Sequence, residues 1–201
     1  MIPESFILPE SVAQTLAAVA RSEALRKAEY LRAGDFDGYM GLTNEQNRLS
    51  SFLKIEPRLT APAFWRMLAE VWMLSETISA RQRTWLRLFE SKRANRELLM
   101  TKAERTKLAA LPDRLTIWCG CGHAAGRRGM SWTLREKIAR QFAEYACGTR
   151  RRCLAPNLAG TQPTIVKATC FKSNVLAYFS GRKEAEIVID PKNTFSIEIK
   201  P

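Results

Sequence analysis

The sequence predicts an α+β fold, in which an N-terminal helical bundle packs beside a small mixed β core. Up to Pro112, apolar residues recur at the spacing of helix faces. After Pro112 the chain changes to short runs rich in β-branched residues, which are typical of strands. These two textures predict a helical region over residues 1–111 and an α+β domain over residues 112–201.

The helical region carries its own start signals. Thr43-Asn-Glu-Gln46 and Thr101-Lys-Ala-Glu104 both match the capping box, in which the first and fourth residues satisfy each other's backbone N–H groups. Three tryptophans, Trp65, Trp72 and Trp85, fall at helical spacing among leucines and phenylalanines. This spacing indicates hydrophobic core and not an aromatic ligand cage.

The second domain alternates strand-like and helical signals. We expect strands over residues 115–118, 164–170, 174–179, 184–189 and 195–199. Thr133-Leu-Arg-Glu136 matches another capping box and predicts an amphipathic helix that continues through Phe142. One helix among several short strands is typical of an α+β domain.

Charge narrows the classes of partner. The net charge is +12, and residues 111–201 carry 15 Lys and Arg against 7 Asp and Glu. Such a surface attracts nucleic acid, an acidic protein face or a dinucleotide pyrophosphate. No apolar run reaches the roughly 18 residues of a membrane span, and the N-terminus lacks a signal-peptide pattern, so we expect a cytoplasmic protein, in the producing cell or in a target cell.

The cysteines do not form a metal motif. Cys119-x-Cys121-x-His123 is too tightly spaced for the usual zinc clamp, and no second pair of ligands follows it. We therefore expect reduced thiols that fill the core, and no bound metal.

Three sequence features follow one another in a distinctive order. A predicted strand ends at Trp118-Cys119-Gly120, and Ser131-Trp132-Thr133 then leads into the predicted helix. Last, Glu184-Ala185-Glu186 begins a predicted strand. This order resembles the Arg…Ser-x-Thr…Glu-x-Glu signature of the arginine-directed mono-ADP-ribosyltransferases, over roughly residues 112–191.

The resemblance implies a toxin-like or effector-like enzyme that transfers ADP-ribose from NAD to an arginine of a protein. Breaking the bond between nicotinamide and ribose builds positive charge on the sugar, which Glu186 would stabilise. Ser131 would orient this carboxylate, and Thr133 would cap the next helix and brace the serine. Glu184 would pair with the acceptor guanidinium. Because side chains alternate along a strand, Glu184 and Glu186 would reach the same cleft.

The resemblance also implies an NAD-binding set: Cys119, Gly120, Arg127, Arg128, Ser131, Trp132, Thr133 and Phe142. Cys119 departs from the family, which has an arginine there to hold NAD. A thiol cannot form a charged, bidentate contact, so an arginine at 119 would be expected to tighten NAD binding. Three explanations stay open: a substitution that silences a toxic enzyme, a natural pseudoenzyme, or an arginine relocated to Arg127 or Arg128.

Other interpretations remain beside the enzyme. Cys119 with His123 as its base is a weak candidate nucleophile. A non-catalytic protein of the same fold could inhibit or sequester a macromolecular partner. The arginine run at residues 150–152 also allows a basic nucleic-acid-binding protein.

Overall fold

The computed structural model describes residues 10–75, 78, 81–122, 129–147 and 163–200, which form seven α-helices and six strands. By packing, the chain divides into two compact units, Met1–Arg58 and Leu59–Pro201. The change of sequence texture at Pro112 therefore lies inside the second unit. Helices that follow Leu59 belong to the same unit as the sheet. The molecule is α+β, as the sequence predicts.

The first unit contains helices α1 (Glu10–Ala33), α2 (Phe36–Gly41) and α3 (Arg48–Ile55). Gly34 ends α1 in the left-handed region, with φ of 74°, which glycine adopts without steric strain. Asp35 then caps α2 by accepting a 2.8 Å hydrogen bond from the N–H of Gly38. A left-handed glycine and a side-chain cap thus connect α1 to α2.

The capping box predicted at Thr43 is wrong. Thr43 donates its hydroxyl hydrogen to the carbonyl of Tyr39, and Asn44 instead accepts from the N–H of Asn47. Asn44 therefore caps a single 3₁₀ turn, and α3 begins only at Arg48, without a side-chain cap. An asparagine one residue along the chain competes for the same backbone donors, and here it wins.

The second unit begins with helices α4 (Ala61–Met73), α5 (Gln82–Phe89) and α6 (Lys102–Ala110). Trp65, Trp72 and Trp85 are at most 1% exposed, which confirms that they form core. Trp72 packs edge-to-face on Trp85 at 5.0 Å between ring centroids. The capping box predicted at Thr101 is confirmed, with both reciprocal bonds to Glu104 present.

Six strands form one sheet in the order β4-β5-β2-β1-β3-β6. They are β1 (Arg114–Cys121), β2 (Ser131–Thr133), β3 (Thr164–Phe171), β4 (Val175–Phe179), β5 (Glu186–Ile189) and β6 (Thr194–Lys200). All five described pairings are antiparallel, so the expectation of a mixed sheet is wrong. Strands that are neighbours in the sheet therefore run in opposite directions, whether or not they follow one another in the sequence.

One face of the sheet is a continuous apolar core, which we call the apolar face. Its buried side chains alternate along the strands and are Leu115, Ile117, Cys121, Trp132, Val166, Ala168, Cys170, Tyr178, Ile187 and Ile189. Met100, Leu108 and Leu111, from the region of α6, pack against it. Burial of apolar surface stabilises a fold by about 25 cal/mol per Å², so this cluster contributes to the folding free energy of the second unit.

Helix α7 (Glu136–Ala146) contacts β1 and β3 on the opposite face. Its buried Ala139 and Ala143 pack with Ile165 and Trp118. The helix begins three residues later than Thr133, the residue predicted to cap it. Thr133 ends β2 instead, and its hydroxyl oxygen accepts a 3.1 Å hydrogen bond from the N–H of Arg135.

Candidate functional site

A single buried carboxylate lies at the centre of the candidate site. Glu186 is the first residue of β5 and is only 5% exposed. Its Oε1 accepts a 2.5 Å hydrogen bond from the Ser131 hydroxyl and a 3.1 Å bond from Nε1 of Trp72. The serine reaches it because Thr133 pairs directly with Glu186, and Ser131 is two residues from Thr133 on the same face of β2.

The burial of Glu186 sets its electrostatics. Loss of hydration raises the pKa of the Glu186 carboxyl above its usual value, because the charged form is less well solvated. Hydrogen bonds from Ser131 and Trp72 and the charge of Arg182 lower the pKa in part, while the neighbouring Glu184 raises it. A carboxylate in such surroundings favours a positive charge beside it.

A guanidinium brings the two glutamates together. Nη2 of Arg182 lies 3.1 Å from Oε2 of Glu184 and 3.9 Å from Oε2 of Glu186. Nη1 of the same arginine donates to the carbonyl oxygen of Met73, the last residue of α4, at 2.9 Å. Arg182 is thus held on one side by the end of a helix and on the other by both carboxylates.

Glu184 is positioned by a turn and not by the strand that the sequence predicts for it. β5 begins at Glu186, so Glu184 lies in the preceding turn and strand alternation does not place it. The turn contains two non-glycine residues in the left-handed region, Lys183 with φ of 60° and Ala185 with φ of 49°. Such residues are held there by their surroundings, because the conformation itself is unfavourable for an L-residue.

Bonds from β2 and the start of α7 fix the turn. Thr133 donates its hydroxyl hydrogen to the carbonyl of Glu184, and the N–H of Leu134 donates to the carbonyl of Ala185 at 3.1 Å. Nη1 of Arg135 donates to the carbonyl of Lys183 at 2.9 Å. Thr133 therefore braces the glutamate turn and not Ser131, the residue it was predicted to support.

The start of the same turn is held by a second buried carboxylate. Oε1 of Glu104, in α6, accepts a 2.8 Å bond from the N–H of Ser180, and its Oε2 accepts from the backbone and hydroxyl of Thr101. Glu104 is 6% exposed. Its role in the capping box and its bond to Ser180 tie α6 to the turn.

Cys119 and the carboxylate lie on opposite faces of the sheet. Trp118 pairs with Thr133, so Trp118 shares the face of Ser131 and Glu186. The next residue, Cys119, points the other way and packs against the apolar face. The structure therefore does not bring Cys119 to the site that the resemblance assigned to it.

Cys119 is also a poor nucleophile. Burial raises the pKa of its thiol to about 12, with a further contribution from Cys121. The reactive thiolate is therefore scarce at neutral pH. His123, the base proposed for it, lies outside the described residues, as do Arg127, Arg128 and the arginine run at 150–152.

Gly120 has a packing role in the structure. A Cβ built on it would lie 1.8 Å from the carbonyl oxygen of Ala139 and 2.6 Å from the nitrogen of Ala143. The absence of a side chain is what lets the backbone of α7 rest directly on β1. This contact accounts for the glycine without any bound ligand.

Two further predicted contacts lie apart from Glu186. Trp132 points into the apolar face, is 2% exposed, and donates its Nε1 hydrogen to the carbonyl of Gly129 at 2.9 Å. Phe142 lies on α7 with 43% of its surface exposed. Of the predicted set, the structure brings Ser131 together with the glutamates, and Thr133 braces their turn.

A cavity of about 440 Å³ opens beside the site, but Glu186 does not line it. It is lined by one face of α4, by residues 98–102, by Glu104 and Arg105 of α6, and by Phe179 of β4. Phe179 pairs directly with Glu186, yet the carboxylate is not among the lining residues. The cavity and the buried carboxylate are therefore neighbouring, separate features.

Two residues of the site were not predicted from the sequence. The spacing correctly predicts that Trp72 lies in the core, but its indole N–H also donates a hydrogen bond to Glu186, 114 residues along the chain. Nothing local in the apolar helix α4 indicates such a long-range bond. Arg182 is two residues before Glu184, and that spacing was the available signal.

The described part of the chain shows no helix long and apolar enough to cross a membrane. It also shows no group of three or more His, Cys, Asp or Glu side chains placed to hold a metal ion. Comparisons of the chain with protein-family models, curated proteins and solved structures found no significant match.

Proposed function

We propose that the protein is an NAD-dependent mono-ADP-ribosyltransferase that modifies an arginine of a protein target, with Glu186 as its central catalytic residue. The observation that carries this proposal is the 2.5 Å hydrogen bond from the Ser131 hydroxyl to Glu186. A serine that fixes one oxygen of a buried carboxylate leaves the other oxygen oriented for a ligand. The sequence resemblance assigned these roles to the same two residues.

The chemistry needs a negative charge beside the reacting sugar. NAD supplies ADP-ribose as an electrophile when nicotinamide leaves. Oε2 of Glu186 makes only the longer contact to Arg182 in the described structure, so it is the oxygen that would accept a hydrogen bond from a ribose hydroxyl. Because Glu186 is buried, its charge would act on the developing cation with little screening by water.

Glu184 fits the role of pairing with the acceptor. It already pairs with a guanidinium, that of Arg182, at 3.1 Å, which shows the geometry its carboxylate accepts. The side chain is 21% exposed, so it lies nearer the surface than Glu186. An arginine of a target protein would meet Glu184 first and Glu186 behind it.

The residues that would bind NAD fall into two groups, one for the ribose and one for the pyrophosphate. Glu186 fits a ribose, because Ser131 orients its carboxylate and the carboxylate is buried. For the pyrophosphate, Cys119 offers no cation and points into the apolar face. Arg127 and Arg128 remain the proposed cations for this part of NAD.

The test is the exchange of Glu186→Gln, which keeps the size and removes the charge. We expect nicotinamide release and transfer to an arginine substrate to fall by about 10²–10³-fold, the usual loss when an oriented electrostatic group is removed. Glu198→Gln on β6 is the matched control, because its carboxylate is 56% exposed and pairs with Lys167. Equal activity in wild type and Glu186→Gln contradicts the catalytic assignment.

A non-catalytic protein of the same fold is a second candidate, and the position of Cys119 favours it. A side chain packed against the apolar face cannot bind a phosphate on the opposite face. If no other cation replaces it, NAD binding is weak and the carboxylate cluster is structural. Calorimetry with NAD separates the two: micromolar binding supports the enzyme, and no heat of binding supports the non-catalytic protein.

A further inference from the structure

Arg182 occupies the place that the proposed reaction reserves for its acceptor. Its Nη2 lies 3.1 Å from Glu184 and 3.9 Å from Glu186, the two carboxylates assigned to acceptor and sugar. The side chain is 53% exposed, so solvent and solutes reach it. No target protein is needed to bring a guanidinium to this point, because the turn carries one.

We propose that the chain transfers ADP-ribose to its own Arg182. The inference rests on the proposed function and names its first substrate. Nη1 is engaged by the carbonyl of Met73, whereas Nη2 faces both carboxylates. Nη2 is therefore the nitrogen placed to attack a sugar held by Glu186. Reacting atoms need to approach to about 3–3.5 Å, and rotation about the last bonds of the exposed Arg182 side chain would bring Nη2 toward the sugar.

The transfer balances without any further reagent. The bond between C1′ of the ribose and the nicotinamide nitrogen breaks, and its electron pair stays with nicotinamide. A bond forms between C1′ and Nη2, and Nη2 loses one proton. Glu184, 3.1 Å away, accepts this proton and releases it to water. The products are ADP-ribosylated arginine, nicotinamide and one proton.

The modification limits itself. Once Nη2 carries ADP-ribose, the guanidinium can no longer pair with Glu184 as before, and the added group covers the carboxylates. Each chain should therefore accept a single ADP-ribose at this position. Turnover on other substrates should fall as the modified fraction rises.

The experiment incubates the full chain with NAD and follows intact mass, peptide mass mapping and nicotinamide release in parallel. We expect a single ADP-ribose on the peptide that contains Arg182, at a rate per chain that does not change on tenfold dilution. Arg182→Lys keeps the positive charge and should abolish labelling of this peptide. Arg140→Lys is the matched control, because Arg140 also pairs with a glutamate at 3.1 Å and is 55% exposed.

A second measurement needs no NAD. Titration of Glu186 by NMR should show a higher pKa in Arg182→Gln than in wild type, because the guanidinium lowers it in the native protein. Arg140→Gln should leave the titration unchanged. An unchanged Glu186 pKa in Arg182→Gln removes the contact on which the inference depends and overturns it.

The outcomes separate the inference from the function beneath it. Nicotinamide release with the label elsewhere, or with no label, overturns the role of Arg182 and leaves the proposed transferase in place. If nicotinamide is not released at all, the proposed function fails and the inference fails with it. Labelling whose rate per chain rises with protein concentration also overturns it, since the acceptor would then belong to another copy.

Discussion

Around Glu186, neighbouring residues of one strand have opposite chemistry because they lie on opposite faces of the sheet. Ile187 lies in a continuous apolar core, while Glu186 beside it collects hydrogen bonds from Ser131 and Trp72. The same holds on β2, where Trp132 faces the core and the residues on either side face the carboxylate. The difference shows that the face on which a strand residue points, and not its distance along the chain from Glu186, decides whether it belongs to the site.

The largest effect we expect comes from placing a charge on the wrong face. Cys119→Arg adds a guanidinium where the partly buried thiol packs against the apolar face, so it should lower the free energy of unfolding by about 3 kcal/mol or more, because a charge without a partner costs several kcal/mol in the interior. Urea denaturation measures this loss. The expected loss of stability replaces the expectation, drawn from the sequence, that an arginine at position 119 tightens NAD binding.

Thr116→Arg is the matched control, since Thr116 lies on the other face of the same strand and is exposed. Its effect should stay within about 0.5 kcal/mol, as for most surface substitutions. A stable Cys119→Arg protein that binds NAD more tightly than wild type would falsify the placement of Cys119 and restore the interpretation from the sequence.

The next effect concerns the face that α7 covers. Gly120→Ala places a methyl group 1.8 Å from the backbone oxygen of Ala139. To make room for this methyl group, α7 and β1 must move apart. We expect a loss of about 3 kcal/mol, at the upper end for overpacking. Gly41→Ala is the control, because a Cβ there meets no atom within 4 Å. If Gly120→Ala unfolds like wild type and only NAD binding suffers, the glycine serves a ligand and not the helix.

The smallest effect tests the bond between core and site. Trp72→Phe removes the N–H that Glu186 accepts, so the pKa of Glu186 should rise further and the charged form should lose about 2 kcal/mol. The pKa of Glu186 is raised in the folded protein relative to about 4.3 in the unfolded chain. Glu186 therefore stabilises the fold below pH 4.3, roughly, where it is protonated in both states, and this stabilisation is lost as pH rises through the folded pKa. The variant should therefore be most destabilised at high pH.

Urea denaturation at about pH 4 and about pH 8 checks this difference. Trp85→Phe is the control, because the indole N–H of Trp85 is buried and has no hydrogen-bond partner in the part of the chain that the structure describes. Trp85→Phe should therefore lose packing free energy only, and the loss should be the same at both pH values. An equal, pH-independent loss in both variants would mean that Trp72 contributes only packing.

Much of the fold follows from local sequence signals, and the site follows only in part. β-branched runs locate β1 and β3, and the capping box at Thr101 locates α6, because these signals act within a few residues. Spacing alone implies that Ser131 and Thr133 share a face. Which residue of β1 joins them depends on register, and register is set by pairing with distant strands.

The glutamate turn illustrates why the rest of the site cannot be predicted from the sequence. The pattern predicts a strand from residue 184, but Lys183 and Ala185 adopt positive φ. Glycine or asparagine would signal such a conformation, whereas lysine and alanine do not. The bond from Trp72 to Glu186 is hidden for the same reason, since it joins elements that share no local pattern.

The residues that hold this turn also determine whether it can be transplanted. Its geometry depends on Glu104 in α6, on Thr133 at the end of β2 and on Arg135 at the start of α7, each bonding a different backbone group. The turn's own sequence disfavours two of its backbone conformations. A graft of residues 180–186 onto another scaffold would therefore carry both carboxylates and lose their arrangement, unless the three supporting side chains were moved with it.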